Sequence, residues 1–228
     1  MKKDGFTLAE VLITLGIIGV VAAITIPTLV ANYQKKVLVT QLQKSVALIS
    51  NGAKLLLANE QTDNLNNTYL FNEVLSKEAF ENSVGKFLKT YFNVIKTCNT
   101  WDNNEQECIA ETYKSLDGQI NTMFSDPSTF EYCAIINNGT VICLAPFRNW
   151  NPARIILDLN GKSGPNVVGR DLFNIDLNYN GSIAESFSNE NSAYETHKPE
   201  NCGLQGEYYP YGVGCYNRII QNGWKMDY

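Results

Sequence analysis

The sequence has little of the chemistry on which most enzymes and metal sites depend. It contains one histidine, His197, and no two cysteines in C-x-x-C spacing, which argues against a zinc site. The signatures G-x-S-x-G and H-E-x-x-H and a glycine-rich phosphate loop are also absent. His197 lies in the polar stretch ETHKP, which is typical of a solvated residue. We therefore predict that the chain is not an enzyme.

Clustered positive charge is missing as well. The 18 Lys and Arg residues are outnumbered by 23 Asp and Glu residues, and the formal net charge is −5. Because phosphate neutralisation needs grouped basic side chains, we expect no general nucleic-acid binding. The 228 residues are enough for a sizeable hydrophobic core.

One long apolar run is present, and it lies at the N-terminus. The twenty residues Val11–Val30 span about 30 Å as a helix, enough to cross a membrane. Lys2 and Lys3 precede the run and favour a cytoplasmic N-terminus with an extracytoplasmic C-terminal domain. A single acid, Glu10, stands at the front of the run. A carboxylate facing hydrocarbon costs about 2.5–3.5 kcal/mol, so Glu10 needs a partner or a function.

The stretch GFTLAEVLITLGIIGVVAAITIP, residues 5–27, resembles the N-terminus of type IV pilins and of type II secretion pseudopilins. In that family a short basic leader ends in glycine, a methylated phenylalanine follows, and glutamate is fifth in the mature chain. The resemblance implies a leader at residues 1–5, cleavage between Gly5 and Phe6, and methylation of Phe6. It also implies that Glu10 pairs with the new N-terminal amine of a neighbouring subunit and sets the axial register.

The resemblance implies a function in assembly. The chain would be a structural subunit, a minor one by the size of its exported domain, of a type IV pilus or a type II secretion pseudopilus. Its partners would be the prepilin peptidase and N-methyltransferase, other pilin or pseudopilin subunits, the inner-membrane assembly machinery and the lipid bilayer. It would cross the inner membrane once before it enters a filament. The alternative is a membrane-tethered extracytoplasmic binding or adhesion module that does not polymerise.

The N-terminus also permits an ordinary signal peptide with cleavage after Ala23. Two features oppose this reading: the acid Glu10 at the start of the apolar run, and the continuation of the run to Val30. We therefore favour processing at Gly5.

The apolar run is predicted to continue as one helix to about Ala58. Apolar residues recur at helical spacing and form one stripe, which comprises Leu38, Leu42, Val46, Ile49, Ala53 and Leu56. We divide the helix into a transmembrane or filament-core segment, 6–30, and an amphipathic continuation, 31–58. Pro27 falls where many pilins carry a helix-bending proline, and we expect a bend or a short unwound stretch near it.

Residues 59–228 predict an exported α+β domain with the helix on one face of a mainly antiparallel sheet. A helical pattern covers 71–94, and a short helix is expected within 213–221. Strand patterns separated by turn residues cover 130–137, 140–146, 153–159, 171–177 and 182–187.

The six cysteines, an even number in an exported chain, predict three disulfides. They are Cys98, Cys108, Cys133, Cys143, Cys202 and Cys215. Fifteen pairings are possible. We expect neighbours to pair, because each bridge then closes a short loop that contributes a few kcal/mol, on the order of 3, in the chain-entropy model.

Two polar segments raise the question of calcium. The segment DLNGKSGPNVVGRD resembles a loop that sometimes holds calcium in minor-pilin and pseudopilin-like chains, where Asp158, Asn160 and Asp171 would supply oxygen ligands. The stretch that begins at Asp176 matches the first half of an EF-hand loop, but Phe187 replaces its closing acid. Asn and Gly are also what plain turns require, so we favour turns without metal at both places.

Overall fold

The computed structural model describes residues 7–71, 76–102, 104, 107–124, 126, 132–145, 153–186, 198–203 and 213–228. The chain divides into two compact units, Met1–Val37 and Leu38–Tyr228. The predicted α+β class is confirmed, with a long N-terminal helix and a six-stranded antiparallel sheet.

The first helix, α1, covers Leu8–Asn59 without interruption. Its N-terminal part is long and apolar enough to cross a membrane, and the side chains of its most apolar stretch are not buried within the chain. The helix continues through Pro27, so the predicted alternative of a short unwound stretch is absent. The other alternative, a bend, stays a prediction, since a proline removes one backbone donor and clashes with the preceding turn.

In the second unit, α1 buries one stripe of side chains in the core. Leu42, Ala53 and Leu56 are fully buried and Ile49 nearly so, as the predicted stripe requires. Burial of each such aliphatic side chain contributes roughly 1.5–3 kcal/mol. Val46 is partly buried against the same core.

The sheet is an antiparallel meander in which each strand pairs with the next along the chain. Its strands are β1 Val94–Asn99, β2 Tyr132–Ile136, β3 Val141–Ala145, β4 Ala153–Asp158, β5 Leu172–Leu177 and β6 Ile183–Glu185. Five of them fall within the predicted strand segments. The edge strand β1 was not predicted as a strand, since Ile95 and Lys96 are exposed and its sequence lacks clear alternation.

Short helical segments fill the connections. They are 3₁₀ turns at Leu65–Asn67, Tyr69–Phe71 and Pro199–Asn201, the helices α2 Lys77–Phe80 and α3 Lys86–Tyr91, a π-helical turn Glu81–Gly85 between them, and α4 Cys215–Gln221. The predicted helical region 71–94 therefore ends where β1 begins.

Both faces of the sheet are buried. Alternate side chains of β2, Tyr132, Ala134 and Ile136, join the core that includes the C-terminal half of α1. Cys133, between them in sequence, joins a second core with Tyr113 and Phe124. Because side chains alternate along a strand, the two cores lie on opposite faces of the sheet.

The structure contains three disulfides, Cys98–Cys108, Cys133–Cys143 and Cys202–Cys215. These are the expected bridges between neighbours in sequence. Cys133 and Cys143 are directly opposite each other on β2 and β3.

Candidate functional site

The candidate site at the N-terminus is built on the first turn of α1. The backbone carbonyl of Thr7 accepts the first helical hydrogen bond, from Val11 N at 3.2 Å, so Thr7 is the N-cap residue. The backbone N–H and the hydroxyl of Thr7 both donate to Glu10 Oε2, each at 2.8 Å. In return Glu10 N donates to Thr7 Oγ1 at 3.3 Å. This reciprocal arrangement is a capping box.

The capping box gives Glu10 a partner inside its own chain. Both donors reach Oε2, and the described residues place no donor on Oε1. A carboxylate has about four acceptor positions, so Glu10 retains capacity for a further donor such as an amine. The negative charge also lies at the positive end of the helix dipole. The arrangement can therefore hold an ionised Glu10 in one orientation and still accept a second partner.

Gly5 and Phe6, the predicted cleavage and methylation residues, lie outside the described part of the chain. Pro27 lies within α1, nearly five turns beyond Glu10 at about 3.6 residues per turn. The roles that we assigned to these residues therefore stay predictions.

The β4–β5 loop brings together the three residues predicted to bind calcium. Asp158 is buried, and its Oδ1 accepts hydrogen bonds from Asn160 N at 3.2 Å and Gly161 N at 2.8 Å. Its Oδ2 accepts from the Tyr113 hydroxyl at 2.6 Å. Burial raises the pKa of Asp158 to about 7, although these donors act in the opposite direction. In this structure Asp158 holds a turn and a tyrosine in place.

Asp171 has a similar role at the other end of the loop. Its two carboxylate oxygens accept from Asn166 N at 2.7 Å and Val167 N at 2.5 Å. Burial raises the pKa of Asp171 as well. Both acids therefore stabilise the loop through backbone amides.

The side-chain amide of Asn166 lies inside the same loop. One of its terminal atoms is 3.1 Å from Ser163 O and 3.2 Å from Gly161 O, and with Nδ2 at that position it donates to both carbonyls. Asn160 Nδ2 donates to Gly164 O at 3.0 Å, whereas Asn160 Oδ1 is buried without a hydrogen-bond partner.

The second polar segment forms a hairpin turn between β5 and β6. Gly181 N donates to Asn178 O at 2.8 Å, and Ser182 N donates to Asn180 Oδ1 at 3.0 Å. The side chain of Asp176 accepts a hydrogen bond from the Ser186 hydroxyl at 3.0 Å. Across the described residues, no group of three or more His, Cys, Asp or Glu side chains is placed to hold a metal ion.

A further buried acid, which the sequence analysis did not single out, anchors the C-terminal segment. Glu185 is 2% exposed and its Oε2 accepts a hydrogen bond from Asn217 N at 2.9 Å, in the first turn of α4. Backbone hydrogen bonds from Gly214 and Tyr216 also reach this carboxyl group. Burial nevertheless raises the pKa of Glu185 to about 8. Asn217 is 32 positions away in sequence, so no local pattern predicts the contact.

Comparison with known families identifies the N-terminal segment. Residues 1–26 match the family described as the prokaryotic N-terminal methylation motif. This is the prepilin-type signal of type IV pilins and pseudopilins, so the class of protein it supports is pilin-like or pseudopilin-like. No curated protein and no solved structure matches the chain.

The Thr7–Glu10 capping box is the part of this site that sequence reasoning missed. Its signal was present, since Thr, two intervening residues and Glu immediately precede the apolar run. The first turn of α1 thus combines a helix start with the methylation signal.

Proposed function

We propose that this protein is a minor filament subunit of a type IV pilus or a type II secretion pseudopilus. The observation that carries the proposal is the match of residues 1–26 to the methylation motif. In this proposal the prepilin peptidase removes residues 1–5 and methylates Phe6, and the protein is its substrate. The mature chain then remains in the inner membrane, with its N-terminus on the cytoplasmic side, until it assembles with other subunits.

The geometry of Glu10 supports the assembly step. Contacts to Thr7 lower the cost of keeping an acid at the edge of the bilayer, because buried or lipid-facing charges are tolerated when they are hydrogen-bonded. During assembly the free side of the carboxylate would receive the N-terminal amine of a neighbouring subunit. An ion pair of this kind fixes register, since leaving either charge unpaired in a low-dielectric environment is costly.

The test is assembly of full-length Glu10→Ala in the native cell, with the sheared filament fraction and the membrane fraction measured separately. We expect the variant to be processed and retained in the membrane but lost from filaments. Ala9→Ser, next to it in the same turn, is the matched control and should assemble. If the protein is found only in the membrane fraction and Glu10→Ala leaves its biological function intact, the chain is instead a tethered binding or adhesion module that does not polymerise.

We also propose calcium as a ligand of the β4–β5 loop. The loop resembles, in its sequence, one that holds calcium in related chains, and its acids and amide oxygens are the hard donors that calcium prefers. The buried, unpartnered oxygen of Asn160 and the nearby acids Asp158 and Asp171 add to this support.

Thermal unfolding of the full chain with added Ca²⁺ or Mg²⁺ tests this second proposal. We expect Ca²⁺ at about 100 times its Kd to stabilise the fold by about 2.7 kcal/mol and so to raise the midpoint, and Asn160→Leu to remove the increase. An unchanged midpoint with Ca²⁺ would mean that the loop holds no metal.

A further inference from the structure

Trp101 is unusual among the exposed apolar side chains of the Leu38–Tyr228 unit. The other large apolar side chains exposed in the described part of this unit are aliphatic: Leu48, Leu55, Ile95, Ile120 and Ile220. Trp101 is 39% exposed and lies in the loop closed by the Cys98–Cys108 bridge. A large aromatic side chain that remains half-exposed on a loop is a common means of recognition.

The indole packs against a buried aromatic ring. The ring centroid of Trp101 is 4.6 Å from that of Phe80, which is 3% exposed. Phe80 in turn stacks on Tyr132 with centroids 6.3 Å apart. A ring that is already fixed loses little conformational entropy when a ligand packs against it.

The described residues on either side of the indole also form hydrogen bonds with one another. Asn99 Oδ1 accepts from Asp102 N, and Asn99 Nδ2 donates to Asp102 Oδ2, both at 2.9 Å. Asn99 N donates to Asn104 Oδ1 at 2.9 Å. The indole is therefore presented by a short, internally bonded turn.

Charged residues next in sequence to Trp101 and to Phe80 are paired within the chain. Asp102 forms an ion pair with Lys77, and Glu81 with Lys89. Glu81 Oε1 also accepts a hydrogen bond from the Tyr132 hydroxyl at 3.1 Å. Each of these two carboxylates therefore has a lysine partner, and the pair that adjoins Trp101 in sequence, Asp102 with Lys77, offers hydrogen-bonding groups without net charge.

These features select a class of partner. An anionic or cationic ligand would gain little from paired charges, and one aromatic ring with polar neighbours is too small an apolar area for a stable protein interface of about 800 Å² per partner. A pyranose ring fits better, since one of its faces carries C–H groups that stack on an indole while its hydroxyls bond to polar neighbours.

We propose that Trp101 is a stacking platform for a neutral saccharide, with Asp102 and Lys77 as hydrogen-bonding partners of the sugar hydroxyls. This interaction goes beyond filament assembly and does not depend on it. Its failure would leave the proposed function untouched.

The experiment uses the full processed chain in a detergent without a sugar headgroup, because maltoside detergents would compete. The probes are cellohexaose, N-acetylchitohexaose and maltohexaose, titrated while indole signals are followed by NMR. Sorbitol is the control ligand, because it has hydroxyls but no ring face. Variants are Trp101→Ala, Trp101→Phe and, as a matched exposed apolar site, Ile120→Ala.

We expect at least one hexaose to bind and shift the Trp101 indole N–H signal, with no binding of sorbitol. Trp101→Ala should weaken binding about tenfold or more, the effect of losing about 1.4 kcal/mol, while Trp101→Phe and Ile120→Ala retain most of it. Absence of binding by all three hexaoses would overturn the proposal. So would equal binding by Trp101→Ala, or Trp101-dependent self-association without sugar binding, which would assign the surface to a protein contact.

Discussion

The Thr7–Glu10 capping box leads to a prediction that separates its two hydrogen-bonding elements. Thr7→Val keeps the β-branched shape and the backbone N–H that donates to Glu10 Oε2, but it removes the hydroxyl. Two hydrogen bonds are lost: the one from the Thr7 hydroxyl to Glu10 Oε2 and the one from Glu10 N to Thr7 Oγ1. The perturbation is therefore local to the start of α1.

The expected magnitude follows from these contacts. Loss of a side-chain N-cap costs about 0.5–2 kcal/mol. Because both hydrogen bonds of the Thr7 hydroxyl are lost while the backbone N–H of residue 7 can still hold the carboxylate, we expect about 1–2 kcal/mol, within this range. That loss corresponds to a factor of about 5–30 in the local opening equilibrium.

Amide hydrogen exchange of the mature chain in micelles measures this opening. Exchange at the amides of Glu10 and Val11 should accelerate about 5–30-fold in Thr7→Val. The control is Thr25→Val, which removes a hydroxyl that bonds to Val21 O at 2.9 Å within the same helix and should leave the first turn unchanged. Unaltered exchange of Glu10 and Val11 in Thr7→Val would refute the capping role.

Three further predictions concern the Leu38–Tyr228 unit and can be checked by unfolding measurements. Gly85→Ala should lower the thermal midpoint, because the added Cβ would lie 2.7 Å from the Tyr132 hydroxyl oxygen. The cost of overpacking, about 1–3 kcal/mol, exceeds the gain in helix propensity of about 1 kcal/mol. A raised midpoint would contradict this prediction. The pKa of Glu185 is raised from 4.5 to about 8. The stability that the protonated Glu185 contributes is therefore complete below about pH 4.5 and is lost as the pH rises to about 8. Glu185→Gln should flatten this decrease of the unfolding free energy with pH, and an unchanged decrease would exclude Glu185 as its source. Leu42→Ala should lower the free energy of unfolding by about 2–5 kcal/mol. Leu55→Ala, at a 55% exposed position of the same helix, should lower it by less than about 0.5 kcal/mol. Similar decreases for the two variants would mean that the buried stripe is misassigned.

Much of the fold was predictable because its signals are local. The apolar run and the 38–56 stripe predict α1 directly, and the turn residues Asn137–Gly139 locate the β2–β3 hairpin. Strand β1 escaped prediction since its exposed edge position removes the alternation that identifies half-buried strands. The π-helical turn Glu81–Gly85 was also missed; its Glu81 accepts a hydrogen bond from Tyr132, 51 positions later, a contact that no local pattern reports.

The candidate sites also combine features that are local in sequence with contacts between distant residues. The methylation signal and the Thr7–Glu10 spacing are contiguous in sequence and therefore predictable, although only the first was recognised. The burial of Asp158 and its contact with Tyr113, 45 positions earlier, depend on the assembled domain. The anchoring of α4 by Glu185 likewise needs β6 and α4 to meet. Such non-local contacts decide which acids are buried, and a sequence pattern does not report them.

The central claim is that the chain is a processed pilin-like subunit, and the most direct test is intact-mass analysis with N-terminal sequencing of the protein from native membranes. The measurement is made with and without reduction. We predict a chain that begins at N-methylated Phe6 and gains six hydrogens on reduction, as its three disulfides require. A chain that begins at Ile24 would show cleavage by an ordinary signal peptidase and would contradict assembly into a filament.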